Sequence, residues 1–528
     1  MRTRVSVRVL AATLVVVAGL VHAASAAYAS EAVLGGGSGF AALEIDQWRA
    51  DTARNPFNLT VNYVAQGSSF GRQQFTANAV DFGASDIQYV AGELPQLQNQ
   101  RCAGKSLDAC FVYVPVSAGG VSFMYNLLDA SGNRITNLKL TRQVACKIFT
   151  GQITRWNDPE IVASNPSFAN LNRDIIPVIR ADGAGESYVF SEFCINAAPA
   201  VWTKFIADSR AGPASGDLSG EFLNGQPTST WPQQWGHSVP IAFADGTANY
   251  VADPGSGANA ITYVAAGYAK VRSFPVASVQ NAAGVFTQPD ESNVTVALGY
   301  ATPRGNGTFN LSYNGPDPRA YFPSTYSYIL AQTSGFDPGK GATLGQFLCY
   351  AISQGQVVAP SLRYARLSTP LVNIAIDAIA QIPGAPSKQS CFIQGAPPPP
   401  PPPTIVVVGV GNGGTGGGPG GTLGGASGGA GGAGSSGANG SSRGAKGGGK
   451  GGAGASARLG AGGAGSSASD ETTTTVNQQA LNDAELARAV GSQTSKSSST
   501  PTVWLLLAGL GGAWGVSMFA KSRKKLSA

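Results

Sequence analysis

The sequence predicts an α/β fold in two domains, followed by a long linker and a membrane-spanning segment. Helix-like and strand-like hydrophobic patterns alternate through the first three quarters of the 528-residue chain, which is typical of α/β sheets. The composition changes abruptly at Pro397, where a run of prolines begins. Residues 30–396, called the head below, number about 365, more than one hydrophobic core usually holds, so we expect two domains.

The elements of the head follow one another in a regular order. Helix-like patterns cover residues 40–53, 70–78 and 141–149; strand-like patterns cover 59–64, 80–84 and 175–179; and 112–115 and 121–125 are apolar runs. Because ligands of such folds bind beyond the carboxyl ends of the strands, the turns found there are the candidate site.

Both ends of the chain resemble membrane-targeting segments. Residues 1–29 combine arginines, an apolar run and small residues suited to cleavage, as in a secretory signal peptide. Residues 503–520 are apolar and precede a basic tail, 521–528, which predicts a transmembrane helix with a cytoplasmic tail. We therefore expect an exported head, on the cell surface or the periplasmic side, anchored by its C-terminus.

Residues 397–502 are predicted to be a linker. Seven consecutive prolines, 397–403, favour a polyproline II rod of about 20 Å, and the Gly-, Ala- and Ser-rich stretch that follows cannot form a core. About 100 flexible residues give an r.m.s. reach of roughly 50–60 Å. This reach is enough to hold the head beyond an envelope layer.

The net charge of +6 does not indicate a nucleic-acid partner. Seven basic residues and no acidic ones lie in the two targeting segments, so subtracting seven from +6 leaves −1 for the rest of the chain. Nucleic-acid recognition needs a basic face, which this balance does not favour. The seven residues are Arg2, Arg4, Arg8, Lys521, Arg523, Lys524 and Lys525.

Six cysteines in an exported chain predict disulfide bonds. A zinc site is not expected, because there is no C-x-x-C and the only histidines are His22 and His237. The sequence leaves the connectivity open, and the short first spacing makes the first pair the leading expectation. The expected pairs are Cys102 with Cys110, Cys146 with Cys194, and Cys349 with Cys391.

The most informative stretch is Arg-Ala-Asp-Gly-Ala-Gly-Glu-Ser at 180–187. It lies between a strand-like run and a helical pattern, and a glycine-rich turn at a helix N-terminus directs N–H groups and the positive end of the helix dipole at an anion. Arg180 adds a planar guanidinium that fits a tetrahedral oxyanion. The stretch predicts an anion site, in which the carboxylate of Glu186 is unexpected.

Two further turns share this design. Gly-Gly-Gly-Ser-Gly-Phe at 35–40 precedes the first helix, and Gly-Ser-Ser at 67–69 begins the next one. A serine in such a position is often only a helix cap. Together with Gly-Ala-Ser-Asp at 83–86, however, the turns predict a single shared site.

These motifs resemble the PstS-like phosphate-binding proteins that serve phosphate ABC importers. The resemblance covers most of residues 33–395 in the family's order. Its other parts are Val-Asn-Tyr at 61–63, Pro-Val-Ser-Ala-Gly-Gly-Val at 115–121, Ile-Phe-Thr-Gly-Gln-Ile-Thr-Arg-Trp-Asn-Asp at 148–158, Ala-Ile-Thr-Tyr-Val-Ala-Ala-Gly-Tyr-Ala-Lys at 260–270 and Tyr-Phe-Pro-Ser-Thr-Tyr-Ser-Tyr at 321–328.

The resemblance implies a two-domain periplasmic-binding-protein fold, type II-like, with a hinged cleft that grips one oxyanion. Domain I would comprise 30–115 plus 290–396, and domain II 116–289. The implied function is the capture of inorganic phosphate, or a related oxyanion, for the permease subunits of an ABC importer, without a cofactor. The implied ligand contacts are Ser38, Gly39, Phe40, Ser68, Asp86, Arg180 and Gly185, with Glu186 as a further candidate.

The chemistry of Arg180 and Asp86 fits phosphate, and Arg180 would neutralise the charge of the ligand. Asp86 can only accept a hydrogen bond when ionised, so it demands a proton on the ligand, which phosphate retains at neutral pH and sulfate does not. Two alternatives remain open: Asp86 caps a helix beside Ser85, or Arg180 forms a salt bridge to Asp182, which can coexist with ligand binding.

The chain departs from the family at Ala184 and Glu186, where a Ser or Thr pair is usual, and at Gly39, where Ser38 can substitute for a common hydroxyl. Each lost donor would cost about 1–3 kcal/mol unless an N–H group or water replaces it. A Glu186 that points inward would repel a dianion or demand a second ligand proton. One that points outward would only favour the helix N-terminus, and we expect this outward orientation.

Two other functions compete with phosphate capture. A surface envelope or adhesion protein could keep the fold with weak or altered ligand binding, which the long linker and the departures favour. A phosphate-ester hydrolase would need a nucleophile with a base, or a metal cluster, and His237 is the only histidine of the head. We therefore expect a binding protein and not an enzyme.

Overall fold

The computed structural model describes residues 31–211, 220–232 and 238–393. Its strands are β1 Val33–Gly37, β2 Val61–Val64, β3 Phe82–Ser85, β4 Phe111–Tyr125, β5 Lys139–Leu140, β6 Ile176–Arg180, β7 Val239–Ile241, β8 Ala260–Ala265, β9 Ser278–Gln280, β10 Phe286–Thr287, β11 Thr302–Pro303, β12 Phe309–Asn310, β13 Ser324–Gln332 and β14 Tyr364–Ala365. Its α-helices are α1 Ala42–Thr52, α2 Ser68–Thr76, α3 Leu94–Asn99, α4 Arg142–Phe149, α5 Pro159–Val162, α6 Gly185–Ala197, α7 Pro199–Ala211, α8 Gly220–Leu223, α9 Ala244–Ala252, α10 Ala266–Val271, α11 Glu291–Leu298, α12 Pro338–Ala351, α13 Thr369–Ile379 and α14 Lys388–Ile393.

A nine-stranded mixed sheet connects the whole head. Its order is β2-β1-β3-β13-β4-β8-β6-β7, and β14 also pairs with β4. The long strand β4 belongs to both parts of this sheet, because its residues 111–120 pair with β13 and its residues 121–125 pair with β8. β1 is parallel to β2 and β3 in one part, and β6 is parallel to β7 and β8 in the other.

Aromatic packing fixes helix α6, which contributes to the site described below. Phe190 stacks on Trp231 with ring centroids 5.0 Å apart and meets Tyr263 at 5.2 Å. All three rings are buried. Since each ring removes on the order of 150–250 Å² from water, this cluster holds α6 firmly against β8.

The helices and strands predicted from the sequence are present, with ends shifted by at most two residues. The apolar runs at 112–115 and 121–125 are one continuous strand, β4, whose residues are nearly all buried. A strand that is covered on both faces has no alternating polar positions, so its full length is difficult to see in a hydrophobic pattern.

Strand β1 is not predicted by the sequence, because its Gly-Gly-Gly run resembles a turn. In the structure β1 lies between β2 and β3. The ring of Phe82 covers Gly35, where an added Cβ would lie 2.0 Å from it, and Gly37, with φ 140°, abuts the carbonyl of Ala84. The glycines here permit close approach of neighbouring groups within a strand.

All six cysteines are paired as expected. The disulfides join Cys102 to Cys110, Cys146 to Cys194 and Cys349 to Cys391. The second bond ties α4 to α6, and the third ties α12 to α14.

Several predictions concern segments outside the described residues. These are the signal peptide at 1–29, the linker at 397–502, the transmembrane helix at 503–520, the tail at 521–528 and His237. Within the described ranges, no helix is long and apolar enough to cross a membrane. The same ranges contain no group of three or more His, Cys, Asp or Glu side chains that could hold a metal ion. The division into domains I and II stays a prediction.

A buried acid lies between α1 and β4. Glu44 is fully buried, and its Oε2 accepts a hydrogen bond from the hydroxyl of Ser117. Burial raises the pKa of Glu44 to about 8, although the bond from Ser117 opposes this shift. The folded protein therefore holds a proton here that the unfolded chain releases above its ordinary pKa.

We expect Glu44→Gln to remove a pH dependence of stability. With a folded pKa of about 8 and an ordinary value of 4.5, the contribution of Glu44 is fully present below about pH 4.5 and is lost as the pH rises to about 8. The variant should match the wild-type head near pH 5 and exceed its free energy of unfolding by on the order of 3–5 kcal/mol near pH 8 in urea titrations. Glu160→Gln, at a half-exposed site, is the control. A difference that stays constant with pH would contradict the prediction.

Removing the disulfides should destabilise the head in order of loop length. Cys146–Cys194 spans 48 residues and Cys102–Cys110 spans 8. In the chain-entropy description, these loops are worth about 4 and about 2.5 kcal/mol. Double Cys→Ala variants, compared by denaturant unfolding, should show the larger loss in the free energy of unfolding for the longer loop. The reverse order would contradict the prediction.

Candidate functional site

Four turns meet where strands of both sheet parts end. Ser38 follows β1, Ser68 begins α2, Asp86 follows β3, and Arg180 is the last residue of β6. Because β1 and β3 are parallel neighbours, their carboxyl ends place Ser38 beside Asp86. All four side chains are buried.

Asp86 is the centre of a cluster of hydroxyl groups. Its Oδ1 accepts hydrogen bonds from Ser38 at 2.5 Å and Ser327 at 2.6 Å, and its Oδ2 accepts one from Ser68 at 2.9 Å. Burial raises the pKa of Asp86, while the three hydroxyls and the charge of Arg180 act in the opposite direction. These charge-assisted bonds hold the carboxylate in one orientation.

The helix-cap interpretation is wrong for Asp86, because the next helical residue in the chain is Ala91. Ser38 does not cap the helix either, because Ala41 is the residue that precedes α1. The hydroxyl of Ser38 accepts a hydrogen bond from the N–H of Ala41 at 3.1 Å while it donates to Asp86.

Arg180 uses its three nitrogens on two carboxylates. Nε and Nη2 donate to the two oxygens of Asp182 at 2.8 and 2.5 Å, so the salt bridge considered as an alternative is present. Nη1 lies 2.9 Å from Oε2 of Glu186, and the side chains of Arg180 and Glu186 are fully buried. Burial lowers the pKa of Arg180, but the charges of Glu186 and Asp182 raise it by more. The guanidinium therefore stays charged.

The expected outward orientation of Glu186 is wrong. Glu186 lies in the first turn of α6, and this turn packs against the Asp86 cluster instead of facing solvent. The side chain of Glu186 points at Arg180. Burial raises the pKa of Glu186 to about 7; Arg180 opposes this shift and Asp86 adds to it. The inward orientation supplies Nη1 with a counter-ion that Asp182, engaged on the other two nitrogens, does not provide.

The first turn of α6 fits closely onto the Asp86 cluster. A Cβ added at Gly185 would lie 2.3 Å from Oδ2 of Asp86 and 2.6 Å from the hydroxyl of Ser68. Nearby, the N–H of Ser69 donates to the carbonyl of Gly183 at 2.9 Å. Glycine is therefore required at 185, and a backbone hydrogen bond links the two sheet parts across the site.

Tyrosines hold the turn formed by residues 38–40. Each of its three carbonyls accepts a hydrogen bond from a tyrosine hydroxyl that comes from a different element. A Cβ added at Gly39 would lie 3.5 Å from Nη2 of Arg180, so this turn also borders the guanidinium. The pairs are Tyr63 with Ser38 (2.7 Å), Tyr268 with Gly39 (2.8 Å) and Tyr364 with Phe40.

The structure thus brings the sequence-predicted site residues together, and it adds Ser327. This serine lies 241 positions from Asp86 in the chain. It belongs to the Tyr-Phe-Pro-Ser-Thr-Tyr-Ser-Tyr motif at 321–328, which signals the family but does not show which hydroxyl faces the site. That choice depends on the register of β13, in which Ser327 pairs with Ser117 of β4.

Known proteins with related sequences are phosphate-binding proteins. The phosphate-binding protein PstS of Haemophilus influenzae is 28% identical over 314 residues, which cover 59% of this chain and 82% of that protein. The phosphate-binding protein PstS of Xylella fastidiosa is 29% identical over 342 residues, which cover 64% of this chain and 82% of that protein.

The fold is also found among solved structures. A human phosphate-binding apolipoprotein is similar with a TM-score of 0.50 and 16% identity, over 68% of this chain and 98% of that chain. A family profile described as the PBP superfamily domain matches residues 22–354. The chain therefore belongs to the PBP superfamily, and the predicted two-domain α/β fold is confirmed.

Proposed function

We propose that this protein is an exported substrate-binding protein that captures inorganic phosphate and delivers it to the permease subunits of an ABC importer. The names of its relatives support phosphate as the ligand. The ligand contacts are the residues gathered at the site: Ser38, Gly39, Phe40, Ser68, Asp86, Arg180, Gly185 and Glu186.

The observation that carries this proposal is a buried acceptor beside a buried cation. An ionised carboxylate offers about four acceptor positions, and three serine hydroxyls occupy three of those on Asp86. The remaining position suits one ligand hydroxyl, which phosphate has and sulfate lacks at neutral pH. The guanidinium of Arg180 and the N-terminus of α6 attract the negative charge of the same ligand.

A second candidate is a surface protein that keeps the fold with weak or altered ligand binding. The buried pair of Arg180 and Glu186 favours it, because a carboxylate already occupies the nitrogen that would receive a ligand oxygen. No contact in the described ranges favours the hydrolase alternative.

We expect Asp86→Asn to weaken phosphate binding by about tenfold to a hundredfold, since it removes a charged acceptor and introduces a donor among three hydroxyl donors. Isothermal titration of the purified head with phosphate and sulfate measures this. Asp81→Asn is the matched control. Asp81 lies directly before β3, whereas Asp86 lies directly after it, and Asp81 forms a salt bridge with Lys340. Equal phosphate affinities for Asp86→Asn and wild type would place the ligand elsewhere. Tighter sulfate than phosphate binding would reject phosphate as the ligand.

We also expect deletion of residues 501–528 to release the head from the membrane fraction, because the proposed anchor lies there. An internal deletion of 409–469 is the control and should leave the protein attached. Fractionation of expressing cells measures both variants, and membrane attachment of the truncated chain would disprove the anchor.

A further inference from the structure

We propose that Glu186 makes phosphate binding depend on one additional proton: its carboxylate competes with the ligand for Nη1 of Arg180, so that the complex holds a proton, on the ligand or on Glu186, that a site without Glu186 does not require. This inference rests on the proposed function and adds a specificity-determining residue to it. The additional proton follows from the arrangement of three carboxylates around the guanidinium of Arg180.

The geometry places unmatched polar atoms at one buried point. Nη1 of Arg180 and both carboxylate oxygens of Glu186 lack hydrogen-bond geometry to any group in the described ranges, although Nη1 and Oε2 are 2.9 Å apart. Buried polar atoms normally have partners. A protonated ligand oxygen supplies both the missing acceptor and the missing donor, since it can accept a hydrogen bond from Nη1 and donate one to Glu186.

The charges around Glu186 are strongly unbalanced. The cation Arg180 faces it from β6, while Asp182 and Asp86 approach from the turn before α6 and from the end of β3. Three carboxylates therefore surround one guanidinium. A dianion added to this group would meet net repulsion in a medium that screens charge poorly, and an extra proton reduces it.

Neutral groups complete the surroundings. The hydroxyls of Tyr63, Tyr268 and Tyr364 approach from β2, α10 and β14, and burial, followed by neighbouring charges that include Glu186, raises their pKa values. They stay neutral donors to residues 38–40 and cannot neutralise Glu186.

The number of protons follows from the acceptors. Asp86 has one acceptor position left and demands one ligand proton. Glu186, facing the same guanidinium, demands a second proton, either on the ligand or on itself. Both placements give the same proton count. In either one, the complex holds one more proton, taken from solvent, than the complex of a site without Glu186.

The pKa of Glu186, raised to about 7 by burial, places this step in an accessible pH range. Below about pH 7 the carboxyl is already neutral and binding needs no further proton. Above it, affinity falls by about tenfold per pH unit on account of this group alone. Binding should therefore tighten as the pH falls through about 7.

The test compares phosphate binding by wild type, Glu186→Gln and Glu186→Thr at about pH 5.5 and about pH 8.5. At the higher pH both variants should bind phosphate about thirtyfold more tightly than wild type, and near pH 5.5 the three should converge. Titrations in buffers of different ionisation enthalpy should show one more proton taken up per phosphate by wild type than by Glu186→Gln at the higher pH.

Glu192→Gln is the matched control. Glu192 lies on the same helix, is largely buried and accepts a hydrogen bond from Tyr313 at 2.8 Å. Its variant should keep the wild-type pH profile. Identical pH profiles and proton counts for wild type and Glu186→Gln would overturn the role of Glu186 while leaving phosphate capture intact. Each variant is first shown to be folded by its unfolding transition. If no folded variant then binds phosphate at either pH, the proposed function is overturned as well.

Discussion

The site depends on one buried cation. Arg180 is fully buried at the end of β6, and a guanidinium in that position is tolerated only where carboxylates surround it. Asp182 satisfies two of its nitrogens with bidentate geometry, and Glu186 approaches the third. Replacing one acid would leave part of the cation uncompensated, so these side chains form a single electrostatic unit. The orientation of Glu186 is a consequence of this unit and not of helix capping.

The sheet topology makes this unit possible. Two parallel strand groups meet through β4, and the ends of β1 and β3 lie opposite the end of β6. Each strand end is then held by its own contacts. Tyrosines bind the carbonyls of residues 38–40, three serines bind Asp86, and aromatic packing positions α6. A site proposed to bind a small ion gains from such support, because a misplaced donor loses most of its interaction energy.

The sequence predicts the site residues better than their orientations. Ser68, Asp86 and Arg180 lie in short motifs near strand ends, where the local sequence pattern and the proposed site coincide. The inward rotation of Glu186 is not local, since it requires knowing that the first turn of α6 abuts Asp86 and leaves no route to solvent. Ser327 depends on the register of a strand that lies 241 positions away. β1 is not predicted for another reason: Gly35 leaves room for the Phe82 ring and Gly37 for the carbonyl of Ala84, contacts that a propensity argument does not include.

Under the proposed function, the departures that the resemblance implies combine into one change of chemistry. Ala184 and Gly39 stand where the resemblance implies hydroxyl donors, while Ser38 donates to Asp86 and so favours the ionised form of that carboxylate. Glu186 adds a second acceptor in the first turn of the helix, where the helix dipole and Arg180 both stabilise negative charge. Under the proposed function, the site therefore presents acceptors where the resemblance implies ligand-directed donors, around the same buried cation. If the proposed function holds, such a site favours binding that brings an additional proton, so the proton balance as well as the shape of phosphate should decide its affinity here.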